Sequence, residues 1–154
     1  MSHTPGHKPE WYAEGLRFGC TQCGNCCTGP PGAVWFTAHE AQALATRFGL
    51  NEAAFRKRYA RRIGSGWSLN EVETEQGFDC VFLDRTSIPG KAVCSVYEDR
   101  PAQCRTWPFW PENLKTQRHW ETVKRRTPCP GMDSPKGRLV PIEQIRIQRD
   151  TPTE

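Results

Sequence analysis

The chain has 154 residues, of which 36% are hydrophobic and 25% charged, and its formal net charge is +4. This composition excludes a disordered chain, no run approaches the ~20 apolar residues of a membrane helix, and the length predicts one domain with a modest core. The 13 glycines and 13 prolines predict many turns. We therefore expect a small, loop-rich α+β domain with about three helices and a short antiparallel sheet.

The N-terminal segment, residues 1–17, predicts a loosely ordered arm that Trp11, Tyr12 and Leu16 anchor to the domain. It lacks a basic stretch followed by an apolar run of signal-peptide length, so we expect a cytoplasmic protein with no membrane partner. Disulfides do not persist in a reducing cytosol, where clustered cysteines are metal ligands or redox groups. A secreted disulfide framework is the minor alternative.

The segment FGCTQCGNCCTGPPG, residues 18–32, carries Cys20, Cys23, Cys26 and Cys27. Two residues between cysteines let both sulfurs reach one ion while nearby backbone amides donate to them. Side chains of adjacent residues generally diverge, so Cys26 and Cys27 are expected to face different ways. We therefore expect Cys26 to join Cys20 and Cys23, and Cys27 to point toward the later cysteines.

A short strand and a helix are predicted next. The apolar run AVWF, residues 33–36, is typical of a short buried strand. Thr37 and Glu40 have the spacing of a capping box, which opens a helix that continues through Phe48.

A second helix is predicted over residues 51–64, NEAAFRKRYARRIG. Asn51 is a favourable N-terminal cap, and Phe55 and Ile63 are among the residues that recur at helical spacing and are expected to face inward.

The middle of the chain changes to strand-like patterns. Residues 67–76, 79–84 and 92–97 predict a small antiparallel sheet, because they are apolar or alternating runs separated by turn-forming sequence. Cys80 and Cys94 are expected to lie on this sheet.

The C-terminal part combines broken and helical sequence. Prolines on both sides of Cys104 allow at most a helical turn there, and residues 111–126 predict a third helix. Cys129 follows in a loop, and residues 149–154 form a polar tail. Residues 18–148 are thus expected to form one cysteine-cluster domain.

All eight cysteines are candidate metal ligands, and a bound metal would staple a core this small. Eight sulfurs suit two four-cysteine sites, one site with spare thiols, or one larger cluster. Two divalent ions on eight thiolates would offset the net charge of +4. The candidate ligands are Cys20, Cys23, Cys26, Cys27, Cys80, Cys94, Cys104 and Cys129.

Four blocks occur in a fixed order: Phe18-x-Cys20-x2-Cys23-x2-Cys26-Cys27, Cys80-x-Phe82-Leu83, Cys94-x2-Tyr97-x2-Arg100-Pro101-x2-Cys104-Arg105, and Cys129-Pro130-Gly131. In these blocks the chain resembles the CxxCxxCC, or YkgJ-type, cysteine-cluster family over about residues 18–131. The resemblance implies a zinc- or iron-chelating domain without a known reaction. The sequence after Cys129 departs from the family pattern, because PGMDSPKG lacks a closely spaced second glycine.

Zinc is the expected cofactor, because it suits four-thiolate sites and needs no redox chemistry. Iron or an iron–sulfur cluster is the alternative, because Cys20, Cys23 and Cys26 have the spacing of bacterial ferredoxins, with Cys129 as a remote fourth ligand. A ferredoxin electron carrier is not expected, since the next cysteine of that run would fall at position 30, which is proline.

The sequence therefore predicts a metal-binding protein of unassigned reaction. An iron–sulfur or metal-dependent enzyme stays open, although the phosphate-loop, H-E-x2-H and serine-elbow motifs are absent. The other alternative is a zinc-stiffened adaptor that binds protein or, through the basic runs 56–62 and 124–126, nucleic acid. A solvated surface is the simpler interpretation of those runs, and Arg100 and Arg105 are expected to bond thiolates or carbonyls around the site.

Overall fold

The structure is a computed structural model that describes residues 9–153. The helices are α1 (Ala38–Arg47), α2 (Glu52–Tyr59), α3 (Ala102–Arg105), α4 (Pro111–Leu114), α5 (Gln117–Arg126) and α6 (Ile142–Arg149). The strands are β1 (Leu16–Phe18), β2 (Ala60–Ile63), β3 (Gly66–Leu69), β4 (Glu71–Thr74), β5 (Gly77–Cys80), β6 (Leu83–Asp84), β7 (Val93–Cys94) and β8 (Arg138–Val140). The expected α+β class is confirmed, and none of the helices among the described residues is both long and apolar enough to cross a membrane.

The strands form four separate antiparallel pairs rather than one small sheet: β1 with β8, β2 with β3, β4 with β5, and β6 with β7. The strands are two to four residues long, and turns interrupt each ribbon before a third strand can pair with it. The β1–β8 pair sets Leu16 opposite Val140 and so joins the two ends of the chain. As expected, Cys80 ends β5 and Cys94 ends β7.

Two separate hydrophobic cores organise the chain, and we call them the first and second core. The buried residues of the first core are Phe36, Ala41, Leu44, Ala45, Phe55, Ala60, Leu69, Cys80, Phe82 and Val96. Those of the second core are Tyr12, Leu16, Phe109, Leu114, Trp120, Met132, Val140 and Ile145. The first core uses one continuous stretch of chain, whereas the second combines both ends.

The two predicted N-terminal caps are confirmed. Thr37 Oγ1 accepts a hydrogen bond from Glu40 N at 3.1 Å, and the Glu40 carboxylate accepts one from Thr37 N at 2.8 Å, which completes the capping box of α1. Asn51 Oδ1 accepts from Ala54 N at 2.8 Å and caps α2. The strand expected at 33–36 is reduced to an isolated bridge between Trp35 and Ser68.

The second helix is shorter than expected. It ends at Tyr59, and Ala60–Ile63 forms β2, which pairs with β3 across a tight turn at Gly64. Gly64 has φ +60°, a conformation that suits a hairpin turn and not a helix. Ile63 consequently lies 38% exposed, so its expected inward orientation is wrong.

The third predicted helix is interrupted. It forms α4 and α5, because Thr116 adopts an extended conformation and its side chain accepts from His119 N to cap α5. Trp120 of α5 is 1% exposed and lies at the centre of the second core. The single helical turn expected around Cys104 is present as α3.

The expected anchoring of the N-terminal segment is present for the part that the structure describes. Trp11 Nε1 donates to the carbonyl of Leu114 at 2.8 Å, and Tyr12 and Leu16 are buried in the second core. The rest of the expected arm, residues 1–8, lies outside the described residues. The domain boundaries 18–148 and 149–154 stay predictions.

Candidate metal centre

The segment 20–27, here called the cysteine loop, makes a tight turn between the two cores. Gly24 has φ +77°, and a Cβ atom on it would meet the Cβ of Ala92 at 2.5 Å, so only glycine fits. Asn25–Cys27 then forms one turn of 3-10 helix. This turn brings the sulfurs of Cys26 and Cys27 to 3.9 Å from each other, and the expected divergence of the two side chains is therefore wrong.

Backbone hydrogen bonds attach the cysteine loop to the first core. Gln22 accepts from Ala92 N at 2.9 Å, and Gly29, just beyond the loop, accepts from Phe78 N at 2.8 Å. The side chain of Thr28 donates to Asp79 at 2.5 Å. These contacts hold the doublet beside the strands that carry Cys80 and Cys94.

Other hydrogen bonds attach the same loop to the second core. Gly19 N donates to the carbonyl of Gly131 at 3.2 Å, and Asn25 Nδ2 donates to that of Pro128 at 2.5 Å. Cys23 Sγ lies 4.0 Å from the carbonyl oxygen of Pro128. The N-terminal half of the loop is therefore placed next to Cys129.

Four thiols from four different elements are neighbours, and we call them the thiol quartet: Cys26, Cys80, Cys94 and Cys104. Burial raises the pKa of Cys80 to about 11. The pKa of Cys104 is raised by burial first, and then by the nearby thiols of Cys80, Cys94 and Cys26. Burial also raises the pKa of Cys94, with a further contribution from Cys26. The same four thiols line one cavity, which places them in one region of the fold.

Cys26 lines one cavity together with Cys94 and Cys104, and Cys20 lines it as well. Cys26 was expected to join Cys20 and Cys23 in one site, and that grouping stays a prediction. The adjacent Cys27 thiol, together with burial, raises the pKa of Cys26. Cys27 itself packs against the first core.

The quartet lines a small cavity of about 80 Å³. Its other walls are mostly apolar and include Leu69, Phe82 and Val96. Such walls exclude water and favour thiolate–metal bonds over hydrated ions. Cys20, an exposed residue, and Cys27 also contribute to the lining.

One cation lies at the rim of this cavity. The guanidinium of Arg100 stacks on Tyr97, with 3.8 Å from Cζ to the ring centroid, and its Nε donates to the Tyr97 carbonyl at 3.0 Å. The positive charge of Arg100 lowers the pKa values of Cys94 and Cys104, whereas burial raises them. Arg105 donates to the carbonyl of Arg100 at 3.2 Å, so both arginines bond carbonyls near the site, which is one of the two kinds of contact expected of them.

A second cation, Arg85, gives no signal in the sequence. Its guanidinium donates to both carboxylate oxygens of Asp79, at 2.7 and 2.9 Å. This pairing raises the pKa of Arg85, and the charge on Cys27 raises it further. The residue reaches the doublet only because β5 and β6 fold next to the cysteine loop.

The two cores contact different cysteines. Cys80 belongs to the first core and Cys27 and Cys94 pack against it, whereas Cys129 packs against the second. All eight cysteines of the chain are free thiols. Among residues 9–153, no three His, Cys, Asp or Glu side chains already have the geometry to hold one ion. A metal would therefore have to draw neighbouring thiols closer together.

Comparison with known proteins identifies the family of this chain. A family model, "CxxCxxCC: Putative zinc- or iron-chelating domain", matches residues 19–130, a range that includes all eight cysteines. The chain belongs to this family, as the cysteine pattern predicts, and the family description supports metal chelation without specifying zinc or iron.

One similar relative comes from Methanocaldococcus jannaschii and carries the name "Uncharacterized protein MJ0661". It is 30% identical over 98 residues, which cover 64% of this chain and 48% of the relative. The matched part thus spans about half of the relative's length. No solved structure matches the chain.

The donor chemistry of the site fits the family description. Thiols are preferred ligands of zinc and of iron in iron–sulfur clusters, and the quartet offers four of them around one apolar cavity. Burial without a metal keeps these thiols protonated, and a metal ion would replace the protons.

Proposed function

We propose that this chain is a cytoplasmic metal-binding protein whose thiol quartet holds one zinc ion. The single observation that carries the proposal is the convergence of Cys26, Cys80, Cys94 and Cys104 around one 80 Å³ cavity. Four thiolates complete the tetrahedral coordination that zinc adopts in structural sites. All eight cysteines are proposed to serve metal binding, with the quartet as the principal centre.

Charge supports a divalent ion at the quartet. Four thiolates with one divalent cation carry a net charge of about −2, following the thiolate form of zinc ligands. Arg100 at the rim supplies one positive charge close by, whereas the charge of Arg85 is balanced by the carboxylate of Asp79. Together with Arg100 the complex would carry a net charge of about −1, which costs less to bury than the charge of four unpaired thiolates.

The proposed role of this ion is structural. The quartet joins the cysteine loop, β5, β7 and α3, which are separated by up to 78 positions in sequence between Cys26 and Cys104. Closing loops of this length opposes folding, and a metal bound only in the native state compensates for it. No reaction is proposed, because four protein ligands leave zinc without an open position for substrate.

Metal content of variants tests the proposal. Protein purified anaerobically under reducing conditions is analysed for zinc and iron, and Cys94→Ser is expected to lose the quartet ion. Cys26→Ser and Cys27→Ser form a matched pair of adjacent thiols. We expect Cys26→Ser to lose the same ion and Cys27→Ser to retain it. The reverse result, or wild-type protein with no metal, contradicts the proposal.

Iron is the alternative occupant, because thiolate sites also bind iron and iron–sulfur clusters. The C-x2-C-x2-C spacing favours it, but Cys94 and Cys104 line one cavity with Cys26 whereas Cys23 does not, which supports the quartet over a ferredoxin-like set. Visible absorption from thiolate-to-iron charge transfer, together with iron and labile sulfide in the elemental analysis, would identify the bound metal as iron rather than zinc.

A further inference from the structure

The basic run 56–62 covers the last turn of α2 and most of β2. Its cations are Arg56, Lys57, Arg58, Arg61 and Arg62. Arg61 is committed to the fold, because its guanidinium donates to the carbonyl of Leu69 at 2.8 Å and pairs with Glu71 at 2.9 Å. Lys57, Arg58 and Arg62 are exposed. We call these three residues, together with Arg56, the basic surface.

Trp67 holds two guanidiniums of the basic surface in place. The register of the β2–β3 pair sets Arg62 opposite Trp67, and Arg62 Cζ lies 6.0 Å from the ring centroid. Arg56 Cζ lies 5.3 Å from the same centroid. Arg56 Nε is buried and has no hydrogen-bond partner among residues 9–153. Stacking on one ring therefore keeps two like charges close together, an arrangement that a bound anion would stabilise.

Most of the positive charge of the basic surface is not neutralised by the protein itself. In the described part of the chain, the carboxylate within ion-pairing distance of this surface is that of Glu52, 3.8 Å from Arg56. Arg58 stacks on Tyr59, with 5.3 Å from Cζ to the ring centroid. Cations in the last turn of a helix interact favourably with its C-terminal end, but this does not account for Arg62, which lies on β2.

The second basic run, residues 124–126 at the end of α5, is built differently. Lys124 pairs with Glu121 at 3.0 Å and with Asp133 at 2.9 Å, so its charge is used within the fold. The basic surface combines unneutralised cations with aromatic rings, whereas run 124–126 is anchored by ion pairs.

Phosphate groups linked in a chain fit the basic surface. Guanidinium groups match phosphate oxygens bidentately, and three of the four cations are arginines. Proteins that bind single-stranded nucleic acid combine cations for the backbone with aromatic side chains for the bases. Trp67 and Tyr59 are partly exposed beside the cations, which favours a nucleic acid over an acidic polypeptide or a lipid surface.

A single strand fits better than a duplex. The helix α2 is eight residues long and buries Phe55 in the first core. It is therefore not a free recognition helix of the kind that enters the major groove of a duplex.

We propose that the basic surface binds the sugar–phosphate backbone of single-stranded nucleic acid. This inference goes beyond the proposed metal site and does not depend on which ion the thiols hold. Contacts of this kind orient the strand without reading its sequence. If the four cations neutralise about three or four phosphates, the logarithm of the association constant should fall with the logarithm of the salt concentration with a slope of about −2 to −3.

Fluorescence anisotropy of the full-length, metal-containing chain tests the proposal. The probes are labelled oligouridine RNA and oligothymidine DNA of about 20 nucleotides, and a DNA duplex of the same length. Between about 50 and 200 mM salt, both single strands should bind more tightly than the duplex and show the slope given above. The triple variant Lys57→Gln/Arg58→Gln/Arg62→Gln should bind at least about 10-fold more weakly at low salt, with a slope reduced by about 2, and Arg62→Gln alone should reduce the slope by about 0.7.

The matched control is Arg118→Gln/Arg125→Gln/Arg126→Gln, which removes the same charge from exposed positions of α5. It should leave the slope unchanged. Metal content and urea unfolding of both triple variants should match those of the wild type, so that failure of this proposal is distinguishable from failure of the metal site.

Three results would overturn the proposal: equal loss of affinity in the two triple variants, preferential binding of the duplex, or no binding of either single strand at low salt. Tighter binding of polyglutamate or of phosphatidylserine vesicles through the same three residues would also overturn it, in favour of an acidic polypeptide or a lipid surface.

Discussion

The first and second cores differ in how they are closed. The first core includes thiols: Cys80 is one of its buried residues, and Cys27 and Cys94 pack against it. In the second, stacked aromatic rings fill the centre, with Phe109 and Trp120 at 5.9 Å and nearly parallel. The comparison teaches that thiols form part of the first core and its boundary, whereas aromatic packing fills the second.

The cysteine loop contacts both regions, so we expect it to be the element most sensitive to metal removal. Cys27 packs against the first core, and Cys23 Sγ lies 4.0 Å from the carbonyl oxygen of Pro128, beside the second. Cys20, in the same loop, is exposed.

Metal removal should produce the largest difference between the cores. A chelator added under reducing conditions is expected to abolish cooperative melting of the first core, because structural zinc contributes on the order of 10 kcal/mol to folding in small thiolate sites. Amide hydrogen exchange measures this by region. Protection should be lost in the cysteine loop, β5 and β7, and should persist in α5. Uniform loss, or no loss, would contradict the proposed asymmetry.

Truncation of a central aromatic residue should have the next largest effect, in both cores. Phe55 and Trp120 are almost fully buried, and replacing either by alanine should lower the free energy of unfolding by about 3–5 kcal/mol. Ile147→Ala is the control, because this side chain is 69% exposed and should change stability by less than about 0.5 kcal/mol.

The same pair of variants sharpens the comparison when metal affinity is measured. Phe55→Ala loosens the core that carries the quartet and should weaken the ion at Cys94, whereas Trp120→Ala should leave that ion in place. Equal loss of the quartet ion in both variants would mean that the two cores are one cooperative unit.

Local sequence signals predicted the elements whose hydrogen bonds are local. The caps at Thr37 and Asn51 are confirmed, because a side chain and an amide three residues away suffice to make each one. The helix through Ile63 is wrong, because pairing with β3 and the turn at Gly64 outweigh a helical pattern in RKRYARR. Propensity is overridden where a partner strand is available.

The sequence indicates that cysteines form the candidate site, but it does not indicate which of the cysteines are neighbours. The family pattern identifies the cysteines, but sequence spacing places Cys26 with Cys20 and Cys23. The 3-10 turn after Gly24 places Cys26 at a cavity that Cys94 and Cys104 also line, and it depends on contact with Ala92, far along the chain. The ion pair of Arg85 with Asp79 beside the cysteine loop likewise arises only from tertiary contacts.

Loss of the capping box should have a smaller effect, confined to the first core. Thr37→Ala removes the side-chain acceptor for Glu40 N and should cost about 1 kcal/mol in urea unfolding. Thr46→Ala, at an exposed position of the same helix, is the control and should be close to neutral. Similar values for the two variants would show that the cap is not formed in solution.

A weak pH dependence should be the smallest effect, confined to the second core. The Arg146 guanidinium, at 2.7 and 2.8 Å, lowers the pKa of Glu10 below its usual 4.5. The ion pair therefore contributes stability above about pH 4.5, and this contribution is lost as the pH falls through the lower folded-state value. Since Arg146 is about half exposed, solvent screens the pair, and we expect its contribution to the free energy of unfolding to be small.

Urea unfolding of wild type and Glu10→Gln at pH 7 and below pH 4 measures this dependence. The difference in stability between the two proteins should shrink on acidification, while any loss of metal affects both equally. Glu14→Gln, at an exposed position nearby, serves as the control for removing a charge. A difference that grows as the pH falls would contradict the Glu10–Arg146 ion pair.

X-ray absorption of the anaerobically purified protein tests the central claim most directly, because it identifies the metal by its edge and counts its ligands. A zinc ion in the thiol quartet predicts a signal at the zinc edge with sulfur neighbours only, at about 2.3 Å. The Cys94→Ser variant should lose this signal, and Cys27→Ser should keep it. Nitrogen or oxygen neighbours in place of sulfur, or a sulfur shell unchanged in Cys94→Ser, would contradict the account.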